Sequence, residues 1–237
     1  MSDLRVAVAV VADGEWRAET GACIAHLVDS FHTAKYEFGE KDIRVFPEWS
    51  AVVPEARHRA LHDAIQWNAT HLLWVAPDVT FLPWSLNALL NHNLPVVAVN
   101  TVVPTLPTKQ TAFVEGDTFA GPLVTEDGER GLVQVEHACF DLMLTDIRIY
   151  DSLSLPMFEP EALPPNFTHY RPDYAVFCDR LRAAGIEIYV DQLISQKVDK
   201  IGAVVYTHGM ADLSAAEVQR KFKETIQEKF DRLEAAE

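Results

Sequence analysis

The chain has 237 residues of which 49% are hydrophobic, enough for one large α/β domain or two small ones with a packed core. Its 35 acidic residues outnumber 20 basic ones, and the formal charge of −15, with no Lys/Arg run to interrupt it, argues against a broad nucleic-acid surface. Cys23, Cys139 and Cys178 lack CxxC spacing, which argues against a zinc cluster or disulfide framework; no apolar run reaches membrane-spanning length and the first residues lack a signal-peptide pattern, so a cytoplasmic protein is expected.

Residues 4–11 (LRVAVAVV) form a near-continuous β-branched and alanine run, the pattern of a parallel strand covered on both faces. After the polar break at residues 12–15, Ile24, Leu27, Val28 and Phe31 mark one face of a helix, and residues 42–47 read as a second strand. Ala56, Ala60, Leu61, Ala64 and Ile65 recur at helical spacing across residues 54–68, with Pro54 suited to the first turn. A strand is expected over residues 71–76, a short helix from Pro83 to Leu90, and a fourth apolar strand over 94–103. Strands alternating with helices favour a doubly wound, mainly parallel sheet.

Residues 105–130 are rich in Pro, Gly, Thr and acidic residues and read as loops or a hairpin over a sheet edge. Beyond them the pattern predicts one extended strand over 132–145, a helix over 172–184 stopped by Gly185, and a strand over 187–194. Ser214 and Glu217 form a capping box before a helix striped with Val218, Phe222, Ile226, Phe230 and Leu233. Residues 1–210 are therefore read as one domain and 211–237 as a helical appendage. That helix either docks on its own domain or makes a homo-oligomer or partner contact.

Ligands of open α/β sheets bind beyond the carboxyl ends of the strands, which directs attention to Ala12 and Asp13, Pro77 and Asp78, and Asn100. Asp78 follows an apolar run, and a carboxylate there can either hold a divalent cation against a diphosphate or cap the turn toward the next helix. Arg57 has the fork geometry for phosphate oxygens, or pairs with Glu55 or Asp63 on its own helix. His58 and His62 lie one helical turn apart but lack the Glu of an HExxH metal site. Trp74 reads as core, whereas Trp16, Trp49 and Trp84 lie near loop edges where an indole can stack on a base or sugar.

Several stretches resemble family 2-like glycosyltransferases, nucleotide-diphospho-sugar transferases of the GT-A fold, especially the compact versions found in bacteriophage genomes. Residues 55–58 (Glu-Ala-Arg-His) through Val79 look like that family's Ala-Arg-Asn helix, strand and Asp-x-Asp metal motif; residues 86–90 and 96–99 resemble the helix and strand that follow. Residues 135–144 resemble the acceptor-side strand, residues 172–178 the Glu-Asp-x-x-Phe-Cys helix start, and residues 190–202 the closing strand and loop. The chain departs from the pattern at Ala76, where the first metal-motif aspartate would stand, and at Lys200, where the family usually has a histidine ligand.

The resemblance implies sugar transfer from a nucleotide-diphosphate donor to an acceptor hydroxyl, inverting or retaining. It assigns Asp173 as the catalytic base, although a carboxylate in a first helical turn is favourable without any catalysis. It puts Ala12, Arg57, Asp78, Asn100 and Lys200 on the donor side and His137 and Asp141 on the acceptor side, where both also make sense as buried, satisfied polar residues. A divalent cation, Mn or Mg, would sit on Asp78 with His208 as a second ligand, unless Lys200 supplies part of that charge. The acceptor would be a protein, a glycan or a modified DNA base, with no membrane partner. The alternatives are a catalytically degenerate nucleotide-sugar or glycan binding protein of the same fold, and a different nucleotide-using α/β enzyme. The last would ordinarily carry a glycine-built phosphate loop, and neither GxGxxG nor GxxxxGK[ST] occurs.

Overall fold

A computed structural model describes residues 3–35, 39–105, 107–114, 121–163, 169–202 and 205–206. In chain order the elements are β1 (Leu4–Ala12), α1 (Ala18–Thr33), β2 (Lys41–Trp49), α2 (Val53–Gln66), β3 (His71–Val75), β4 (Val79–Thr80), α3 (Ser85–Asn91) and β5 (Val96–Ala98). They continue with β6 (Phe113–Val114), β7 (Gly121–Pro122), β8 (Leu132–Val135), β9 (Leu142–Asp146), a 3-10 helix (Ile147–Ser152), β10 (Glu161–Leu163) and β11 (His169–Arg171). Last come α4 (Asp173–Ala183), β12 (Ile188–Asp191), α5 (Gln192–Ser195), β13 (Asp199–Ile201) and β14 (Val205–Tyr206).

The central sheet has seven strands in the order β2-β1-β3-β9-β5-β12-β8. β1 is parallel to β2 and β3, and β12 to β5, while β9 and β8 run against their neighbours. The sheet is thus largely parallel, and β1 explains its own sequence. Flanked on both edges and covered on both faces, it has no polar side to present. Ala7, Ala9 and Val11 share a buried cluster with Ala56, Ala60 and Ala64 of α2, where small side chains on both partners let the helix lie close. Val6, Val8 and Val10 point the other way, toward Ile24, Leu27 and Phe31 of α1. Helix α4 adds Phe177, Cys178 and Leu181 to the first face and α3 adds Leu86 and Leu89 to the second, which completes three layers. Each fully buried Val, Leu or Phe contributes roughly 1.5–3 kcal/mol of transfer free energy.

Helix ends follow their sequence signals. Gly185 (φ +74°) ends α4 in a left-handed turn in which its N–H and that of Ile186 return to the carbonyls of Arg182 and Leu181, both at 2.9 Å. Asn68 (φ 58°) ends α2 in the same way.

Three expectations need correction. The single strand over 132–145 is two strands, β8 and β9, separated in the sheet by β5 and β12. Apolar character alone did not reveal the break, because residues 138–140 stay buried while leaving the ladder. The strand over 187–194 ends at Asp191, whose carboxylate accepts the N–H of Ile194 at 2.8 Å and starts α5. The strand over 94–103 shrinks to β5, because Asn100 and Thr101 turn aside to bond Gln110, Thr111, Leu123 and Thr125. Within the acidic stretch, β6 and β7 pair as a ribbon, in line with the expected hairpin. The expected appendage over 211–237 and His208 lie outside the described residues. No helix among the described residues is long and apolar enough to cross a membrane.

Candidate functional site

β1 connects outward to β2 on one side, and the chain then returns to place β3 on the other, so the β1/β3 boundary is where the winding reverses. Beyond the carboxyl ends of two such strands the departing loops part and leave a crevice. A cleft of about 370 Å³ opens there, lined by Ala12 at the end of β1 and Asp13 after it, Ala76 to Asp78 after β3, Val53 and Arg57 of α2, Phe140 and Asp141 before β9, Tyr174 of α4, and Lys200 of β13.

The turn that carries Asp78 is tied down from three directions. Thr20 of α1 donates its hydroxyl to the carbonyls of Pro77 and Val79 at 3.1 and 2.8 Å. The Arg17 N–H reaches the Pro77 carbonyl at 2.9 Å, and the Ile201 N–H reaches the Asp78 carbonyl at 2.7 Å. Antiparallel pairing of β13 with β4 sets Lys200 opposite Val79, one residue from Asp78. Because β9 runs against β3, its start lies beside the end of β3, with Leu142 opposite Val75 and the Ala76 N–H on the Asp141 carbonyl at 2.9 Å. This pairing brings Asp141 to the end of β3, into the same cleft as Asp78.

The Lys200 ammonium lies between these two acids, 2.7 Å from Asp78 Oδ1 and 2.7 Å from Asp141 Oδ1. Asp141 also accepts from the thiol of Cys139 at 2.9 Å and from the hydroxyl of Thr101. Burial opposes its charge, but the Lys200 ammonium and these hydrogen bonds outweigh burial and hold the carboxyl below its ordinary range. Burial likewise opposes the charge on Lys200, and Asp141 and Asp78 together override it and raise its pKa. Burial first, and Asp141 second, push the Cys139 thiol up to about 12, so it remains a hydrogen-bond donor at neutral pH.

Arg57 stacks over the Phe140 ring, 4.3 Å from its centroid, and ion-pairs with Asp173 at the start of α4. Burial lowers its pKa, with Asp173 pulling the other way. The other Asp173 oxygen accepts the Tyr174 N–H at 2.8 Å. Val53 and Arg57 lie one helical turn apart, so the apolar start of α2 and this cation face the same cleft. Trp49, opposite Ala12 at the end of β2, is 62% exposed and the most exposed tryptophan of the described residues.

The structure gathers Ala12, Arg57, Asp78, Asp141 and Lys200 into one cleft, with Asp173 joined to it through Arg57. Asn100 is not in it. Fully buried, its amide nitrogen lies within hydrogen-bond reach of Gln110, of the Leu123 carbonyl at 2.8 Å and of Thr125 at 2.9 Å, and its oxygen accepts from the N–H groups of Thr111 and Ala112. That side chain clasps residues 110–112 and 123–125 to the sheet and has no capacity left for a donor. His137 is also elsewhere, 3.0 Å from Asp179 in a network with Arg171, Arg182 and Glu136. Burial lowers its pKa and the Arg182 and Arg171 charges add to this, with Glu136 pulling the other way. Phe140, Thr101 and Tyr174 were not singled out from sequence, and Cys139 was read only as an isolated cysteine; for Cys139 and Phe140 the signal was the run 138–141, which resembles strand but lines the cleft through residues 139–141.

Whether a divalent ion fits is decided by Lys200. Asp78 and Asp141 turn their inner oxygens on the same ammonium, so an ion between them has to displace it, and no group of three or more His, Cys, Asp or Glu suited to a metal occurs among the described residues. The described residues do not fit the metal expected at Asp78, and His208, the second ligand expected, lies outside them.

No family model and no curated protein matches the sequence. Among solved structures, the chain is similar to one described as the crystal structure of A197 from STIV, at 15% identity and a TM-score of 0.52, over 84% of this chain and 86% of that one. At that identity the likeness speaks to the shared α/β fold alone.

Proposed function

We propose that the chain is a glycosyltransferase of GT-A type, moving a sugar from a nucleotide-diphosphate donor to an acceptor hydroxyl. The observation that supports it most is the convergence of Asp78, Asp141 and Lys200 at the reversal point of the sheet. It is flanked by an apolar wall at Val53 and by an arginine-held carboxylate at Asp173. In an inverting transfer Asp173 takes the proton of the acceptor hydroxyl as that oxygen bonds the anomeric carbon, and the diphosphate leaves with the electron pair of the broken bond. Arg57 positions this base. Lys200 offers its remaining N–H to a phosphate oxygen. The acceptor, whether protein, glycan or modified DNA base, enters past Tyr174.

A second reading, a nucleotide-sugar or glycan binding protein that has lost turnover, is favoured by one observation. Asp13, Asp78, Asp141 and Asp173 outnumber Arg57 and Lys200, whose charges are already paired within the cleft. Incubation with each common nucleotide sugar, read by release of nucleoside diphosphate, separates the two. Transfer or slow donor hydrolysis that falls about 10²- to 10⁴-fold in Asp173→Asn supports the enzyme. Binding without turnover in the unaltered chain supports the second reading.

A further inference from the structure

We propose that Lys200 is a built-in cation that takes the place of a divalent metal ion in this cleft, so that ligand binding here needs no metal. For the nature of the ligand this rests on the reading above, but the claim about the cation position does not. A surface lysine would be free to leave. This one is 9% exposed, it projects from a strand paired on both edges, and the Ile201 N–H fixes the next residue to the Asp78 carbonyl at 2.7 Å. Thr20 anchors the Asp78 turn from the opposite side. The ammonium therefore belongs to a rigid triad, held by two carboxylates at 2.7 Å each.

Three features make it a replacement rather than a bystander. Its nitrogen lies where both carboxylates aim, which is where an ion bridging them would sit. An ammonium has three donors, the acids take two, and the third remains for the cleft that Lys200 lines. The opposing pKa shifts of Lys200 and Asp141 keep both charged at neutral pH, so the position is not vacated by proton transfer. A magnesium-type ion would need near-octahedral oxygen ligation at 2.0–2.1 Å, whereas Thr101 and Cys139 already saturate the second oxygen of Asp141. A single charge in place of a double one also attracts a diphosphate less strongly, a cost that added metal will not relieve.

The test uses Mn²⁺ alone and needs no nucleotide. Loss of the free-ion electron paramagnetic resonance signal is followed on titrating the ion with the unaltered protein, Asp78→Asn, Lys200→Arg and Lys200→Ala, each checked for folding by circular dichroism. The unaltered protein, Asp78→Asn and Lys200→Arg are expected to bind equally little. Lys200→Ala, with two acids left facing each other, is expected to bind Mn²⁺ about tenfold or more tightly, an increase removed by a further Asp141→Asn change. Stoichiometric uptake by the unaltered protein that Asp78→Asn abolishes would overturn the proposal, and this comparison stands even if Lys200→Ala fails to fold. A folded Lys200→Ala protein that binds no more Mn²⁺ than its parent would overturn it as well.

Discussion

Asp141 is the residue on which the cleft converges, since four partners reach it: Lys200, Thr101, Cys139 and, through its backbone, Ala76. Replacing it with Asn removes a charge-assisted bond but leaves Asp78 to hold Lys200, and is expected to cost about 1–3 kcal/mol in urea unfolding. Lys200→Met strands two acids together and is expected to cost about 3–5 kcal/mol. A Lys200→Met cost at or below that of Asp141→Asn would show that the lysine does not organise the pair. Asp78 was legible from sequence because it follows a short apolar run, whereas Lys200 stood out only through the family resemblance, at the position before Ile201-Gly202. Asp141 was legible only as an acidic residue near a strand. Its partnership with position 76 depends on β9 pairing with β3 almost 70 residues away, and nothing local encodes that pairing. Asn100 misled for the converse reason: its place after a strand suggested a ligand, while its buried amide serves the loop above it.

Among the elements, the wall behind the cleft is held by an aromatic cluster that β3, β9 and α4 close around. Phe158 lies at its centre, fully buried, with the rings of His58, Trp74, Phe140, Tyr150 and Phe177 at 5.0–6.4 Å. Trp74 closes the cluster's polar edge, its indole N–H donating to Tyr150 Oη at 2.9 Å. Phe158→Ala is expected to cost about 3–5 kcal/mol, whereas Phe158→Leu should cost under about 1.5 kcal/mol, by chemical denaturation. Equal, small losses would place Phe158 outside the cooperative core. Periodicity located β1, α1, β2, α2 and β3 well, because each buries a face against β1 and its neighbours. It failed at 132–145 and gave no sign of the 3-10 helix or the β10–β11 ribbon, whose short segments bury too few residues to impose a period.

For the molecule as a whole, burial holds the pKa values of His71 and His137 below the ordinary 6.5, so folding favours their neutral forms. Stability from these groups is complete above about pH 6.5 and declines as pH falls through their lowered folded values. Lys200 acts at the other limit. With its folded pKa raised above 10.5, its contribution is complete below that pH and fades as pH climbs through the folded value. Urea midpoints should therefore fall from pH 7.5 to pH 5.5, and a His71→Gln, His137→Gln double variant should lose much of that slope. An unchanged slope would assign the acid sensitivity to other groups.

A thermal-shift and calorimetric panel of nucleoside diphosphates and nucleotide sugars, each run with chelator and with manganese, bears most directly on the role of the cleft. At about 100 times its dissociation constant a ligand adds roughly 2.7 kcal/mol, a rise of about 5–10 °C for a chain of this size. At least one compound should produce that rise, equally with and without metal, and Asp78→Asn should diminish it. If no member of the panel moves the melting temperature or gives heat, in either condition, the cleft is not a nucleotide-sugar site.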